Sequence, residues 1–257
     1  MRSGSVFAST VLAVCVSAAA GAQPAQNTVV EVHRVTPKAG MRAQLEAGRV
    51  KHMAWHKQQG DTWAWHVWEV TTGPETGSYI VGSPNHQWQD LDAWAAKMAK
   101  GDAADAAVNL APYQASSSMS YWVMLADASR PPTPGTPGGP LVMATFTTYH
   151  LKPGKADQFR EALRTTKGAL EKGNYPRRAI WYVLANGGPT ETYAVLVPRA
   201  SMAEMALTEP SLRNVVETAL GRTATDAAFD AFNDAVESGS SELLEFRPDL
   251  SYLPPSP

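Results

Sequence analysis

Cysteine is almost absent from this chain, which contains a single one, Cys15, among 257 residues. It lies inside an N-terminal apolar stretch that we expect to be removed, which would leave the mature chain without cysteine. Disulfide bonds, thiolate nucleophiles and cysteine-ligated metals are therefore excluded from that mature chain. The formal net charge is also small, at −2, so there is no electrostatic basis for binding nucleic acid.

No apolar run in the sequence is long enough to span a bilayer. The N-terminal run Val6–Val16 follows Arg2 and precedes Ala20-Gly21-Ala22, which is the pattern of a secretory signal peptide with a small-residue cleavage site. The sequence predicts a signal peptide over residues 1–22 and an exported protein, periplasmic or extracellular. Lipidation of Cys15 is an alternative, although the apolar core continues past it.

The sequence repeats itself at an offset of 114 residues. A Pro/Gly-rich segment, residues 129–140, separates the two copies and predicts an exposed linker, because its prolines block regular structure. The domains expected are a first repeat at 23–128 and a second at 141–257. The matched pairs are Lys38 with Lys152, Gly40 with Gly154, Gln44 with Gln158, Leu45 with Phe159 and Tyr79 with Tyr193.

Each half predicts the order β-α-β-β-α-β, from apolar alternation in strands and helical periodicity elsewhere. This is the ferredoxin-like pattern, an α+β class, in which helices cover one face of an antiparallel sheet. The other face of each sheet is bare, and two copies can cover both bare faces by packing them against each other. The predicted strands are 29–35, 63–71, 78–83, 117–125, 142–151, 179–185, 192–197 and 242–247, and the predicted helices are 40–59, 90–98, 155–171, 201–209 and 225–236.

The segment Glu31–Val35 with Gly40, and the segment Thr148–Phe159, carry a family resemblance. A polar-apolar-basic strand followed by a Pro-Gly turn into a helix resembles the dimeric α+β barrel superfamily, and within it the NIPSNAP-like branch. The first copy departs from the pattern, because it has Val35 and Ala39 where the second copy has Tyr149 and Pro153. The resemblance implies an intramolecular barrel. It leaves the activity open, because the superfamily includes cofactor-free monooxygenases and haem-dependent dismutases and peroxidases.

The two copies differ most on their first helices. Arg49, His52 and His56 stand where the second copy has Leu163, Thr166 and Leu170. Placing an arginine and two histidines near a core face is unfavourable unless they have partners. We therefore interpret this helix as the place of a functional site, with His52 and His56 as candidate catalytic residues. The alternative interpretation is a pair of structural or surface histidines.

His52 and His56 are four residues apart, a spacing that can chelate a metal ion from one helix face. A third ligand is not evident in the sequence. We expect the first and third strands to run parallel, which places His86 near the start of the first helix and far from His56. Asp105 looks like ordinary helix surface. The sequence therefore assigns no metal and no cofactor, with a metal ion or haem as the alternatives.

The aromatic strand Trp63–Trp68 supplies the remaining candidates. On the face with His66 and Trp68 the large rings predict either core packing or a pocket wall for a flat or apolar ligand. In the second case His66 is a third candidate catalytic residue. Glu31 and His33 share one face of the first strand, which we expect to face solvent or, in a closed barrel, the lumen. The candidate ligand-binding residues are Glu31, His33, Arg49, Trp65, Trp68, His86 and Trp88.

These patterns favour an exported small-molecule-binding protein, or a cofactor-independent oxygenase-like enzyme, with its pocket in the first repeat. The expected partner is a small apolar or aromatic molecule, and the expected assembly is a monomeric pseudo-dimer or a homo-oligomer. A non-catalytic packing module and a haem-binding barrel are the alternative functions. The ligand itself is not specified by the sequence.

Removal of residues 1–22 is the first testable expectation. Mass spectrometry of the protein recovered from the exported fraction should find Gln23 at the N-terminus, because the cleavage site lies after Ala22. Exported material that still begins at Met1 contradicts it.

Overall fold

Two β-α-β-β-α-β units make up the computed structural model, which describes residues 27–131, 142–206 and 209–254. The predicted signal peptide and most of the predicted linker lie outside these ranges. The first unit comprises β1 (Val29–Pro37), α1 (Arg42–Gln58), β2 (His66–Val70), β3 (Tyr79–His86), α2 (Trp88–Asn109) and β4 (Gln114–Met124). The second comprises β5 (Met143–Leu151), α3 (Ala156–Lys172), β6 (Ile180–Asn186), β7 (Thr192–Arg199), α4 (Leu212–Leu220), α5 (Arg222–Ala235) and β8 (Val236–Phe246).

The eight strands close into one barrel in the order β1-β3-β2-β8-β5-β7-β6-β4. Every pairing is antiparallel, and the two units join at the β2–β8 and β4–β6 seams. The predicted fold, two ferredoxin-like repeats closed into an intramolecular barrel, is confirmed. No helix of the described residues combines the length and the apolarity that a membrane crossing requires.

Apolar side chains form a core inside the barrel, beside an ion pair of Arg34 with Glu242. The buried residues there include Trp68, Ile80 and Leu244, and the partly buried Phe146 and Phe246 pack against them. The helices lie outside the barrel, where each unit has its own core between sheet and helices. Since strand residues alternate between the two faces, every strand contributes both to the interior and to one outer core.

The two units are equivalent in detail. Helices α1 and α3 both have 17 residues, and Gly40 and Gly154, which precede them, have φ values of +72° and +75°. Only glycine adopts that left-handed conformation without steric cost. Leu45 and Phe159 are both buried in the cores beneath these helices, as the repeat predicts.

Several predicted details are wrong. Strands β1 and β3 are antiparallel, so His86, at the end of β3, pairs with Val29 at the start of β1. It therefore lies toward the far end of α1, opposite to the prediction. Ser129 and Arg130, placed in an exposed linker, are buried, because Arg130 pairs with Ala179 and donates to the carbonyl oxygens of Tyr175 and Arg177.

Two helix predictions also fail. Helix α2 runs to Asn109 rather than to 98, through Gly101, which predicts a helix end but serves as a packing position. Within the predicted helix 201–209 the described residues form a short 3₁₀ turn, Met202–Met205, while 207 and 208 lie outside the described ranges, and α4 begins at Leu212. Pro210 explains that shift, since the residue before a proline disfavours helical geometry.

Helices α1 and α2 pack closely through two glycines. A Cβ atom at Gly48 would lie 1.8 Å from the carbonyl oxygen of Asn109, and one at Gly101 would lie 2.8 Å from the Trp55 ring. Gly48 admits no side chain unless the helices separate, and a side chain at Gly101 would require the Trp55 ring to move. The close contact therefore fixes the antiparallel register of α1 and α2.

Gly48→Ala should lower the free energy of unfolding by about 1 to 3 kcal/mol, because the added methyl group forces α1 away from α2. Gly168→Ala is the matched control on α3, where a Cβ would meet nothing within 4 Å. It should raise stability by about 0.5 to 1 kcal/mol through helix propensity alone. Urea denaturation measures both, and equal effects of the two variants would contradict the close packing.

Candidate functional site

A cleft of about 550 Å³ lies on the outer face of the first unit, between its sheet and helices α1 and α2. Its base is formed by β1 and β4, and the α2 side is lined mainly by alanines. Ser117 and Met119, which line it from β4, are exposed, so the cleft opens to solvent there. A volume of this size is typical of small-molecule sites.

The equivalent space in the second unit is filled by aromatic rings. Tyr149 and Trp181 stand where the first unit has Val35 and Val67. They pack with Phe159 and Phe232 at ring-centroid distances between 4.9 and 6.4 Å. Val35 lines the cleft where the second unit has the Tyr149 ring, so the small side chain at this position leaves open a space that its counterpart fills.

Two histidines of α1 line the cleft. His52 and His56 are 4% and 1% exposed, and their Nε2 atoms lie 3.3 Å apart. Asp102, on α2, completes the group: its Oδ1 atom lies 3.3 Å from each Nε2. The register of α1 and α2 brings these side chains together, because His56 directly follows Trp55 and Asp102 directly follows Gly101, the two residues in contact between the helices.

The opposite nitrogen of each imidazole contacts a further carboxylate. His52 Nδ1 lies 2.7 Å from Asp105 Oδ2, and His56 Nδ1 lies 2.8 Å from Asp61 Oδ2. Asp105 in turn accepts a hydrogen bond from Asn109. Because a carboxylate can only accept, each Nδ1 carries the proton and each Nε2 is directed toward the other histidine and Asp102.

Asp61 is the most heavily bonded carboxylate of the site. Besides His56 it accepts from the backbone N–H of Trp63 at 3.0 Å, from Trp65 Nε1 at 3.0 Å and from Trp94 Nε1 at 3.2 Å. Burial alone would raise the pKa of Asp61, but these hydrogen bonds outweigh burial and hold it below its usual range. Asp61 therefore stays ionised and fixes both the His56 ring and two indoles.

The shared carboxylate also perturbs its neighbours. Burial alone would lower the pKa of His56, but its contacts with Asp102 and Asp61 raise it above the ordinary histidine value. Burial acts to raise the pKa of Asp102, and the contacts with His52 and His56 overcome it and hold that pKa well below its usual range. The Asp102 carboxyl is thus an anion wedged between two imidazoles.

Arg49 lies on the same face of α1 and also lines the cleft. It is 8% exposed, and within the described residues its guanidinium makes no direct hydrogen bond. Burial lowers the pKa of Arg49 to about 10, a fall that the charge of Asp102 limits, so the group remains a cation at neutral pH. A buried cation with unused donors suits an anionic ligand group.

Glu31 and His33 line the cleft from β1, joined by a 2.7 Å contact between His33 Nε2 and Glu31 Oε1. The predicted placement in solvent or lumen is wrong, because their face of β1 is covered by the helices. Trp65 also lines the cleft, with its ring 5.3 Å from that of His56.

The other predicted site residues lie elsewhere. His66 and Trp68 face the barrel interior and pack on Phe246, so the prediction that they share a pocket with His52 and His56 is wrong. His86 is buried against Trp63 and hydrogen bonded to Ser83. Trp88 is half exposed beside Tyr121. None of these four lines the cleft.

The sequence interpretation missed Asp61, Asp102 and Asp105. The signal was present: Asp102 and Asp105 are three residues apart, hence on one helical face, and the alanines beside them define a face with little bulk. The predicted end of α2 at 98 places Asp102 outside the helix, and the prediction that Asp105 is ordinary helix surface is wrong.

Comparisons with known proteins address the fold. No protein-family model matches the sequence, and no curated protein matches it significantly. Solved structures do match. A candidate monooxygenase from Lactobacillus acidophilus NCFM superposes with a TM-score of 0.54 at 8% identity, covering 88% of this chain and 96% of that one. The fold is a dimeric α+β barrel.

Two further structures support this assignment. An anthrone oxidase-like protein has a TM-score of 0.52 at 13% identity, covering 86% of this chain and 91% of that one. A variant of chlorite dismutase from Candidatus Nitrospira defluvii has a TM-score of 0.52 at 9% identity, covering 86% and 92%. At such identities the likeness establishes the barrel alone.

Haem, which the family resemblance implies for some members, does not fit the residues present. In the first unit the Asp102 carboxylate lies 3.3 Å from both Nε2 atoms, so neither imidazole faces a space open enough for a porphyrin ring. In the second unit the space under the helices is filled by Tyr149, Phe159 and Trp181. His150 is bonded to Thr192, and strand alternation points it to the opposite face from Tyr149.

Asp61→Asn should lower the free energy of unfolding by about 3 kcal/mol. The Asp61 carboxylate accepts hydrogen bonds from several surrounding N–H groups, and an amide NH₂ in its place would leave some of these buried groups unpaired. Urea denaturation gives the loss, and the indole N–H signals of Trp65 and Trp94 should shift in NMR spectra. Asp127→Asn is the control, since its exposed pair with Arg164 should contribute less than about 1 kcal/mol. Equal losses in the two variants would show that Asp61 has no central role.

Proposed function

We propose that this protein is a small-molecule-binding, oxygenase-like barrel whose ligand occupies the first-unit cleft. The observation that carries the proposal is the juxtaposition of open volume with buried polar groups: Arg49, His52 and His56 are all directed into one cleft. A purely structural histidine pair would have no open volume beside it, whereas this pair lines a cleft of about 550 Å³. The similarity to monooxygenase-like folds is compatible with this function.

The lining indicates the ligand class. Alanines of α2, with Leu91, Met53 and Trp65, supply apolar contact suited to a flat or aromatic body. Arg49 supplies a cation without a hydrogen-bonding partner in the described part of the chain. We therefore propose an aromatic or otherwise apolar molecule that carries one acidic group, oriented with that group toward Arg49. The His52–His56–Asp102 group then lies beside the bound molecule.

Export remains part of the proposal. The N-terminal sequence, with Arg2, the apolar run and the Ala20-Gly21-Ala22 site, supports action outside the cytoplasm. Membership of the NIPSNAP-like branch is likewise proposed, on the strand–turn–helix residues Thr148–Phe159.

Fluorescence of 1-anilinonaphthalene-8-sulfonate, an aromatic anion, tests the ligand class in the presence of EDTA. We expect saturable binding to the wild-type protein and at least about a tenfold weaker binding to Arg49→Gln, since one charge-assisted interaction is lost. Ala103→Trp should abolish binding by filling the cleft, whereas Ala104→Trp, at an exposed position that does not line it, should not.

Displacement of the bound probe tests the requirement for an acid. In the wild-type protein 2-naphthoate should displace it far better than neutral 2-naphthalenemethanol, and Arg49→Gln should remove that preference. Circular dichroism confirms folding of each variant. Binding that ignores both Arg49→Gln and Ala103→Trp contradicts the proposal and favours the non-catalytic packing module.

A further inference from the structure

We propose that His52, His56 and Asp102 bind one divalent transition-metal ion through His52 Nε2, His56 Nε2 and Asp102 Oδ1. This goes beyond the proposed function, because it concerns an inorganic ligand and does not require an organic one. The three residues are the one group of His, Cys, Asp and Glu side chains within the described ranges whose ligand atoms converge closely enough to hold an ion.

The distances among the three atoms suit a metal. Each of the three separations is 3.3 Å, so the atoms form an equilateral triangle. An ion bound at about 2.1 Å from each ligand, at angles between octahedral and tetrahedral, requires separations of about 3.0 to 3.4 Å. A single position equidistant from all three atoms therefore offers normal metal–ligand bonds without movement of either helix.

The outer contacts have the form found around metal-bound histidines. Both Nδ1 atoms are held by carboxylates, His52 by Asp105 at 2.7 Å and His56 by Asp61 at 2.8 Å. Such contacts fix the tautomer, orient the ring and make Nε2 a better donor to a metal. An adventitious pair of helix-surface histidines would not need two such acids, of which Asp61 is buried and Asp105 partly buried.

The charges of the three groups also favour a cation between them. With Nδ1 protonated on both rings, two nitrogen lone pairs and one carboxylate oxygen face each other at 3.3 Å. Without a positive charge between them, this arrangement is repulsive in a partly buried site. A proton can serve, but it bridges only two atoms along one line, whereas an ion contacts all three.

Two imidazoles and one carboxylate define the class of ion. This donor set suits Zn²⁺, Fe²⁺, Mn²⁺ and Co²⁺, and disfavours Ca²⁺ and Mg²⁺, which prefer oxygen ligands. All three residues line the cleft, so the remaining coordination positions of the ion face it. A molecule bound there could bond directly to the ion.

Cobalt titration of the full-length protein, treated with EDTA and dialysed, tests the site without any organic ligand. We expect one Co²⁺ per chain with a dissociation constant of about 1 μM or lower, visible d–d absorption and displacement by Zn²⁺. Azide should shift the d–d bands if a position faces the cleft. An unchanged spectrum would overturn that part of the proposal.

Variants localise the ion. Asp102→Asn should weaken Co²⁺ binding at least about 100-fold, and Asp105→Asn about 10- to 100-fold through the His52 ring. Asp92→Asn, exposed on the same helix, and His150→Ala, in the second unit, should bind as the wild type does. Zinc should raise the Tm of the wild type and leave that of Asp102→Asn unchanged.

Two outcomes overturn the proposal. One is a folded wild-type protein that takes up no stoichiometric Co²⁺ or Zn²⁺. The other is uptake that survives both Asp102→Asn and Asp105→Asn. Because the aromatic-anion assay runs in EDTA and the cobalt titration runs without an organic ligand, either result can fail while the other holds.

Discussion

The close contact between α1 and α2 is the constraint on which the site depends. Gly48 lies against the backbone of Asn109 with no side chain between them, and the absence of a side chain at Gly101 makes room for the Trp55 ring. Between these contacts, the acids of α2 meet the histidines of α1. If α2 were displaced by the width of one methyl group, the 3.3 Å separations between His52, His56 and Asp102 would be lost.

The internal repeat shows what the site requires of the fold. In the second unit the corresponding helix packs through Leu163 and Leu170, and aromatic rings occupy the space beneath it. In the first unit, hydrogen bonds and ion pairs hold the first helix against the sheet, whereas apolar burial does so in the second unit. Asp61 illustrates this, since one buried carboxylate satisfies an imidazole, two indoles and a backbone amide.

Much of the fold and part of the site were predictable from sequence. The repeat and the β-α-β-β-α-β order follow from local periodicity, and comparing the two copies singled out Arg49, His52 and His56. The acids could not be assigned, because their relation to α1 depends on the length and register of α2. Local propensity alone favours a helix end at Gly101. Its packing against Trp55 is a tertiary contact, which the local sequence does not show. Likewise, only the closed barrel shows that His66 and Trp68 face inward while Trp65 faces the cleft.

Because the two units belong to one chain, the two halves of this barrel can differ in sequence. In a barrel assembled from two identical chains, every substitution occurs twice, so a polar replacement beneath a helix weakens both halves at once. Here the seams β2–β8 and β4–β6 join halves encoded separately. The aromatic-filled half can therefore maintain the barrel while its counterpart accumulates charged residues. A single-chain barrel can therefore acquire a polar site in one half, and the loss of folding stability that the site causes is not repeated in the other half.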